Sequence, residues 1–87
     1  MEKPEFSHIV ISLAQTAYVQ LGVIEDPFSK SKNKDLEQAK FTIDLLDMLK
    51  EKTKGNLTKE EEELLEDVLY DLRMKYLYET DKKTKSE

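Results

Sequence analysis

The sequence predicts an all-α protein of three helices, and three observations support this prediction. Apolar residues recur every three to four positions in three separate stretches, which is the spacing of one face of an α-helix. The stretches are separated by segments with glycine, proline and asparagine, which favour turns. A chain of 87 residues has room for one hydrophobic core. We therefore expect a single helical domain over 1–78 and a disordered polar tail over 79–87.

The composition excludes several classes of function. The chain has 14 lysines and arginines against 19 aspartates and glutamates, and a net negative charge disfavours nucleic-acid binding. It has no cysteine and one histidine, so it cannot form a disulfide, a thiolate nucleophile or a zinc site of cysteines and histidines. No stretch resembles a signal peptide or a transmembrane helix. We expect a cytoplasmic protein that does not bind membranes.

The first helix is predicted over 6–21. Ser7 is its expected N-cap, and Gly22 follows its end, where a left-handed residue often closes a helix. His8 lies opposite the apolar face and is expected to be exposed. The loop that follows, 22–34, contains three apolar residues, Val23, Ile24 and Phe28, that we expect to lie against the helices. The residues predicted for the apolar face of the helix are Phe6, Ile9, Val10, Leu13, Ala14, Ala17 and Leu21.

The second helix is predicted over 35–54, with Asp35 as N-cap and Gln38 reaching back to complete a capping box. It carries two apolar stripes on roughly opposite sides. A helix that is apolar on two sides is usually buried on two sides, so we expect it to lie between the other two helices. The first stripe consists of Leu36, Ala39, Ile43 and Leu46, and the second of Phe41, Leu45, Met48 and Leu49.

The turn after the second helix carries strong local signals. Gly55 can adopt a left-handed conformation, and Thr58 with Glu61 forms a capping box that opens a third helix over 59–78. The short turn predicts an antiparallel hairpin of helices 2 and 3, with helix 1 packed across it. The third helix has a main apolar face, Leu65, Val68, Leu69, Leu72 and Tyr76, and a second group, Tyr70, Met74, Leu77 and Tyr78.

We expect no enzymatic activity, no catalytic residues, no cofactor and no metal. The run of glutamates at 60–63 lies at a helix start, where the macrodipole favours carboxylates, and is expected to be solvated. A metal site would need carboxylates that converge from different elements. A catalytic histidine would need a nucleophile or an orienting acid near it, and the sequence places none at a suitable spacing from His8.

The apolar residues exceed what three amphipathic helices need, which predicts an interaction module. We expect a homo-oligomer, with a dimer favoured, or docking on another cytoplasmic protein. The alternative is a nucleic-acid or ribosome-associated factor that uses basic residues of the loop (Lys30, Lys32, Lys34) and of the tail (Lys82, Lys83, Lys85). The predicted protein interface consists of Phe41, Leu45, Met48, Tyr70, Met74, Leu77 and Tyr78.

The sequence also resembles a known family. The segment Glu-Lys-Thr-Lys-Gly-Asn-Leu-Thr at 51–58, with 43–46 before it and 72–74 after it, is similar to short bacterial proteins of domain-of-unknown-function family 1844. Phe6, Leu21-Gly22 and Pro27 also fit the family's usual beginning. The resemblance implies a short helical protein and no assigned activity, so it adds no functional residues.

Overall fold

The chain folds into a bundle of three α-helices. The structure is a computed structural model and describes residues 3–30 and 34–85, with side chains up to Asp81. Helix α1 is Phe6–Leu21, α2 is Leu36–Lys52 and α3 is Lys59–Lys85. Each helix packs against both of the others, and the described residues contain no strand. The predicted all-α fold with three helices is confirmed.

The core lies where the three helices meet. It is built from small residues as well as leucines, and the alanines allow the helix axes to approach closely. Full burial of a leucine contributes about 1.5–3 kcal/mol, so the buried leucines of all three helices supply much of the stability. The buried apolar residues are Val10, Ala14, Ala17, Leu21, Ala39, Ile43, Leu46, Leu65, Leu69 and Leu72.

Helices α2 and α3 form an antiparallel hairpin. Arg73 of α3 lies 2.8 Å from Asp47, and Glu66, earlier in α3, lies 4.0 Å from Lys50, later in α2. The reversed order of the two ion pairs shows that the helices run in opposite directions. The predicted hairpin is therefore confirmed.

Helix α1 packs across the hairpin and contacts both of its helices. It reaches α2 through Gln20, whose Oε1 accepts a 2.6 Å hydrogen bond from the buried Thr42 hydroxyl. It reaches α3 through Tyr18, which donates to the carboxylate of Asp71. The prediction that α2 lies between the other two helices is wrong, because α1 and α3 meet directly.

Helix α1 begins at Phe6, as predicted, but its N-cap lies two residues before the expected Ser7. The N-cap is Glu5, whose backbone N–H donates to Nδ1 of His8 at 2.9 Å. Phe6 is the first residue of the helix and packs against the core. Ile9, expected on the apolar face, is 48% exposed, because it lies at the edge of that face. Gly22 closes the helix with φ +80°, as predicted.

Both ends of α2 differ slightly from the prediction. Asp35 caps the helix by accepting the Gln38 N–H at 3.2 Å. The Asp35 N–H donates to the Gln20 carbonyl at 2.7 Å, and not to the Gln38 side chain as the predicted capping box requires. The helix ends at Lys52, two residues before the predicted end. There the Leu49 carbonyl accepts both the Thr53 N–H, at 3.0 Å, and the Thr53 hydroxyl, at 2.8 Å.

The turn between α2 and α3 has the predicted chemistry. Gly55 adopts φ +84°. The Thr58 hydroxyl accepts the Glu61 N–H at 3.1 Å, and the Glu61 carboxylate accepts the Thr58 N–H at 2.8 Å. The capping box that opens α3 is therefore complete.

Helix α3 continues seven residues past the predicted end at Tyr78 and reaches Lys85. Helical spacing places Glu79 on the same face as Leu72 and Tyr76, and Glu79 is only 7% exposed. Its carboxylate lies 2.5 Å from the ammonium of Lys34. This ion pair stabilises a helical turn that we had predicted to be part of the tail, because residues 79–87 are polar. The third helix thus ends later than predicted, while Ser86 and Glu87 lie outside the described residues.

The loop after α1 covers the core with only one of its three apolar residues. Val23 packs against the core, but Ile24 is 42% exposed and Phe28 is 95% exposed. Asp26 explains the position of Phe28: its carboxylate accepts the Phe28 N–H at 2.8 Å and its carbonyl accepts the Lys30 N–H at 2.7 Å. This tight turn directs Phe28 away from the helices, contrary to our expectation.

Replacing the two glycines by alanine should have unequal costs. Both have positive φ, so both variants strain the backbone by roughly 1 kcal/mol. A Cβ on Gly55 meets nothing within 4 Å, whereas a Cβ on Gly22 would lie 3.2 Å from Cβ of Lys34. We expect Gly22→Ala to lower the free energy of unfolding in urea by more than Gly55→Ala does. Equal losses would contradict the crowding at Gly22.

Replacing Thr58 by alanine removes the hydroxyl that caps α3. We expect a loss of about 1 kcal/mol in the free energy of unfolding. Thr58→Ser keeps the hydroxyl and serves as the control, with a stability close to that of the parent chain. A Thr58→Ala variant as stable as Thr58→Ser would show that the cap contributes nothing.

Candidate interaction surface

Four large side chains stand exposed in a row on α3. Tyr70, Met74, Leu77 and Tyr78 are 69%, 50%, 60% and 64% exposed. Their positions, four, seven and eight residues after the first, place them on one side of the helix. We call these four residues the α3 outer face. Single exposed apolar residues are common on protein surfaces, but a continuous group is typical of a contact surface.

The position of the α3 outer face follows from the core. Leu65, Leu69 and Leu72 are fully buried against α1 and α2, so the opposite side of α3 must point outward. Shallow grooves run along it, and Met74, Leu77 and Tyr78 line one of them.

Charged residues border this face on both sides. On the α2 side lies the ion pair between Arg73 and Asp47, and on the α1 side lies the pair between Asp71 and Lys75, at 2.8 Å. An apolar centre with a polar rim is the usual arrangement of a protein interface. The α3 outer face, together with Asp47 of α2, thus has this arrangement.

A second exposed apolar group lies on α2. Phe41 is 59% exposed and Met48 is 48% exposed, while Leu45 is half-buried. Helical spacing places Asp44 and Asp47 between this group and α3. The seven residues predicted as one interface therefore form two groups on two helices, with charged side chains between them.

A polar cluster that no sequence pattern indicated joins α1 to α3. Tyr18 donates to the Asp71 carboxylate, which also accepts a 2.8 Å hydrogen bond from Lys75. The Lys75 ammonium lies 5.9 Å from the centre of the Tyr18 ring. The partners are separated by 53 residues in the chain, so no local pattern could reveal the pairing.

The cluster shifts the pKa values of two of its members. Burial, together with the hydrogen bond to Asp71, raises the pKa of Tyr18 to about 12. The hydrogen bond from Lys75 is the main cause that lowers the pKa of Asp71, and the bond from Tyr18 adds to it. A phenol with a raised pKa holds its proton at neutral pH. The Tyr18 phenol therefore keeps its hydrogen bond from α1 to α3 over a wide range of pH.

The histidine and the lysines singled out in the sequence lie away from the α3 outer face or outside the described residues. His8 is exposed, and its Nδ1 accepts the Glu5 N–H. Lys34 is paired with the buried Glu79. Lys32 and the side chains of Lys82, Lys83 and Lys85 lie outside the described residues. In the described part of the chain, no three histidine, aspartate or glutamate side chains converge on a possible metal position. Nor is any described helix long and apolar enough to cross a membrane.

The fold and the exposed face together define a small three-helix domain with a surface suited to protein contacts. The chain belongs to the family described as Domain of unknown function (DUF1844), whose model matches residues 3–79. This match confirms the family that the 51–58 segment indicated. The matched segment ends at Glu79, the buried carboxylate that pairs with Lys34. No curated protein and no solved structure matches the chain.

The polar cluster predicts a pH-dependent contribution to stability. Since folding raises the pKa of Tyr18 from 10 to about 12, this stabilisation is present below pH 10 and is lost as the pH rises toward 12. Folding lowers the pKa of Asp71, so its contribution is present at neutral pH and is lost on acidification.

We expect Tyr18→Phe to lower the free energy of unfolding at pH 7 by about 0.5–1.5 kcal/mol, the net contribution of one hydrogen bond. The difference from the parent chain should shrink between pH 10 and 12. Urea unfolding at several pH values measures both effects. Tyr70→Phe removes an exposed hydroxyl and serves as the control, with little change in stability. A difference that stayed constant up to pH 12 would contradict the raised pKa.

Proposed function

We propose that this protein is a non-catalytic interaction module that associates with itself through the α3 outer face. The observation that carries the proposal is the exposure of Tyr70, Met74, Leu77 and Tyr78 in one row on a helix whose other side completes the core. Tyrosine and methionine are enriched at protein interfaces, because they combine large contact area with adaptable geometry.

The free energy available from this face supports association. Full burial of a large apolar side chain contributes about 1.5–3 kcal/mol, and each of the four is at least half exposed. Covering them would therefore add several kcal/mol in total, a large quantity beside the stability of a domain of this size. The four side chains contribute little to the stability of a single copy while they face water.

We also propose that the protein has no enzymatic activity and acts in the cytoplasm. The titratable cluster of Tyr18, Asp71 and Lys75 keeps its phenol protonated, which supports a structural role. His8 has its Nδ1 engaged with the backbone N–H of Glu5. The cysteine-free composition is compatible with a reducing compartment.

The nucleic-acid alternative has less support. Of the loop lysines, Lys34 is engaged with the buried Glu79, so its charge is partly neutralised. The lysines near the end of α3 follow Glu79 and Asp81 in the sequence, which reduces the local positive charge. A binder of phosphates would need clustered cations that are free to replace counterions.

Two lysines on the α3 outer face should abolish association. We expect the parent chain to show a molar mass that rises with concentration in light scattering. A Met74→Lys and Leu77→Lys double variant should stay monomeric and keep its helical circular dichroism, because both residues are exposed. Burial of two unpaired ammonium groups in a contact would cost far more than the contact gains.

The matched control is a double variant, Ile9→Lys and Ile11→Lys. It replaces two half-exposed residues of α1 and adds the same charge away from the α3 outer face. It should associate like the parent chain. A parent chain that is monomeric at every concentration, or a Met74→Lys and Leu77→Lys variant that still associates, would refute the proposed function.

A further inference from the structure

The α3 outer face belongs to a longer regular seam. Exposed residues occur along α3 at positions 63, 67, 70, 74, 77 and 81, so that steps of four and three residues alternate. This is the spacing of the contact positions in a coiled coil. The seam has an apolar centre of Tyr70, Met74 and Leu77, and its ends are acidic, with Glu63 and Asp67 at one end and Asp81 at the other.

The charge along α3 is strongly asymmetric. Residues 59–73 contain seven carboxylates against two cations, and residues 74–85 contain four lysines against two carboxylates. Two parallel α3 helices would place one acidic half beside the other acidic half. Two antiparallel helices would instead place each acidic half beside a basic half, which is the attractive arrangement.

We infer that two copies of this chain pair through their α3 outer faces, with the two α3 helices antiparallel and Met74 at the two-fold axis. This inference rests on the proposed function and specifies its geometry. Met74 lies midway between Tyr70 and Tyr78 and midway between Asp67 and Asp81. In the pair, Tyr70 therefore opposes Tyr78 of the second copy. Each half of the contact repeats the other, as a two-fold symmetric dimer requires.

The size of the face sets the strength of the dimer. A fully covered aromatic side chain buries about 150–250 Å² of accessible surface. The four residues are only partly exposed, so together they can bury on the order of 500 Å² of surface per copy. The total of roughly 1,000 Å² lies below the range of about 1,200–2,000 Å² for stable complexes. Asp67 also opposes Asp81 of the second copy at the rim, which lowers the affinity further. The dimer is accordingly weak and forms only at high concentration.

Engineered cysteines can determine the orientation, because the chain has no cysteine of its own. Asp67→Cys and Asp81→Cys each place one thiol on the exposed seam, and the two positions lie about 21 Å apart along the helix. Each variant is oxidised mildly, first alone and then mixed with the other in equal amounts. We expect a disulfide-linked dimer in the mixture and little in either variant alone.

Two further variants make every outcome informative. Met74→Cys lies on the two-fold axis and should cross-link with itself, whereas Ile11→Cys, on α1, gives the background level of random oxidation. Circular dichroism checks that each variant remains helical.

Efficient cross-linking of Asp67→Cys alone and of Asp81→Cys alone would show a parallel pair. That result would overturn this inference and leave the proposed function standing. Cross-linking of Met74→Cys at only the background level would show that the α3 outer face is not the contact, which overturns both.

Discussion

The close approach of α1 to the hairpin is the constraint on which the rest of the structure depends. Ala14 and Ala17 on α1 and Ala39 on α2 are buried, and their small side chains let the helices pack closely enough for each to touch the other two. Larger side chains at these positions would separate the helices. The leucines of α3 would then lose their contacts with α1.

This three-way packing determines which surfaces remain open. A bundle in which every helix meets both others buries only one side of each helix, so Phe41 and Met48 of α2 and the outer face of α3 stay exposed. The polar cluster of Tyr18, Asp71 and Lys75 then fixes α1 against α3 at the border of the α3 outer face. The exposed groups are thus a consequence of the topology, and the α3 outer face is the surface that the proposed association uses.

The parts of the fold that could be predicted from the sequence depend on local chemistry. Gly22, Gly55 and the Thr58–Glu61 capping box act within a few residues of themselves, so their patterns identify helix ends directly. The core positions of α3 follow from spacing alone. By contrast, Phe41 and Met48 show that spacing reveals an apolar stripe but cannot show whether another helix covers it. That depends on how many neighbours the complete fold provides.

The pairings that the sequence could not predict join distant segments. Tyr18 with Asp71, and Lys34 with Glu79, are brought together only when the bundle closes. Glu79 had a weak signal, since it continues the spacing of the apolar face of α3, but a carboxylate at such a position normally marks the end of a buried stretch. For the α3 outer face, the exposed residues could be predicted, whereas their separation from the α2 group required the structure.

The ion pair of Lys34 with Glu79 connects the loop before α2 to the final turns of α3. If the loop rearranges so that Lys34 withdraws, the buried Glu79 carboxylate loses its partner, and a buried charge without a partner is costly. Unwinding the end of α3 would release that carboxylate to water. The length of α3 is therefore thermodynamically linked to the conformation of this loop. A molecule that binds the loop would change the stability of the end of α3, and a molecule that binds the end of α3 would change the conformation of the loop.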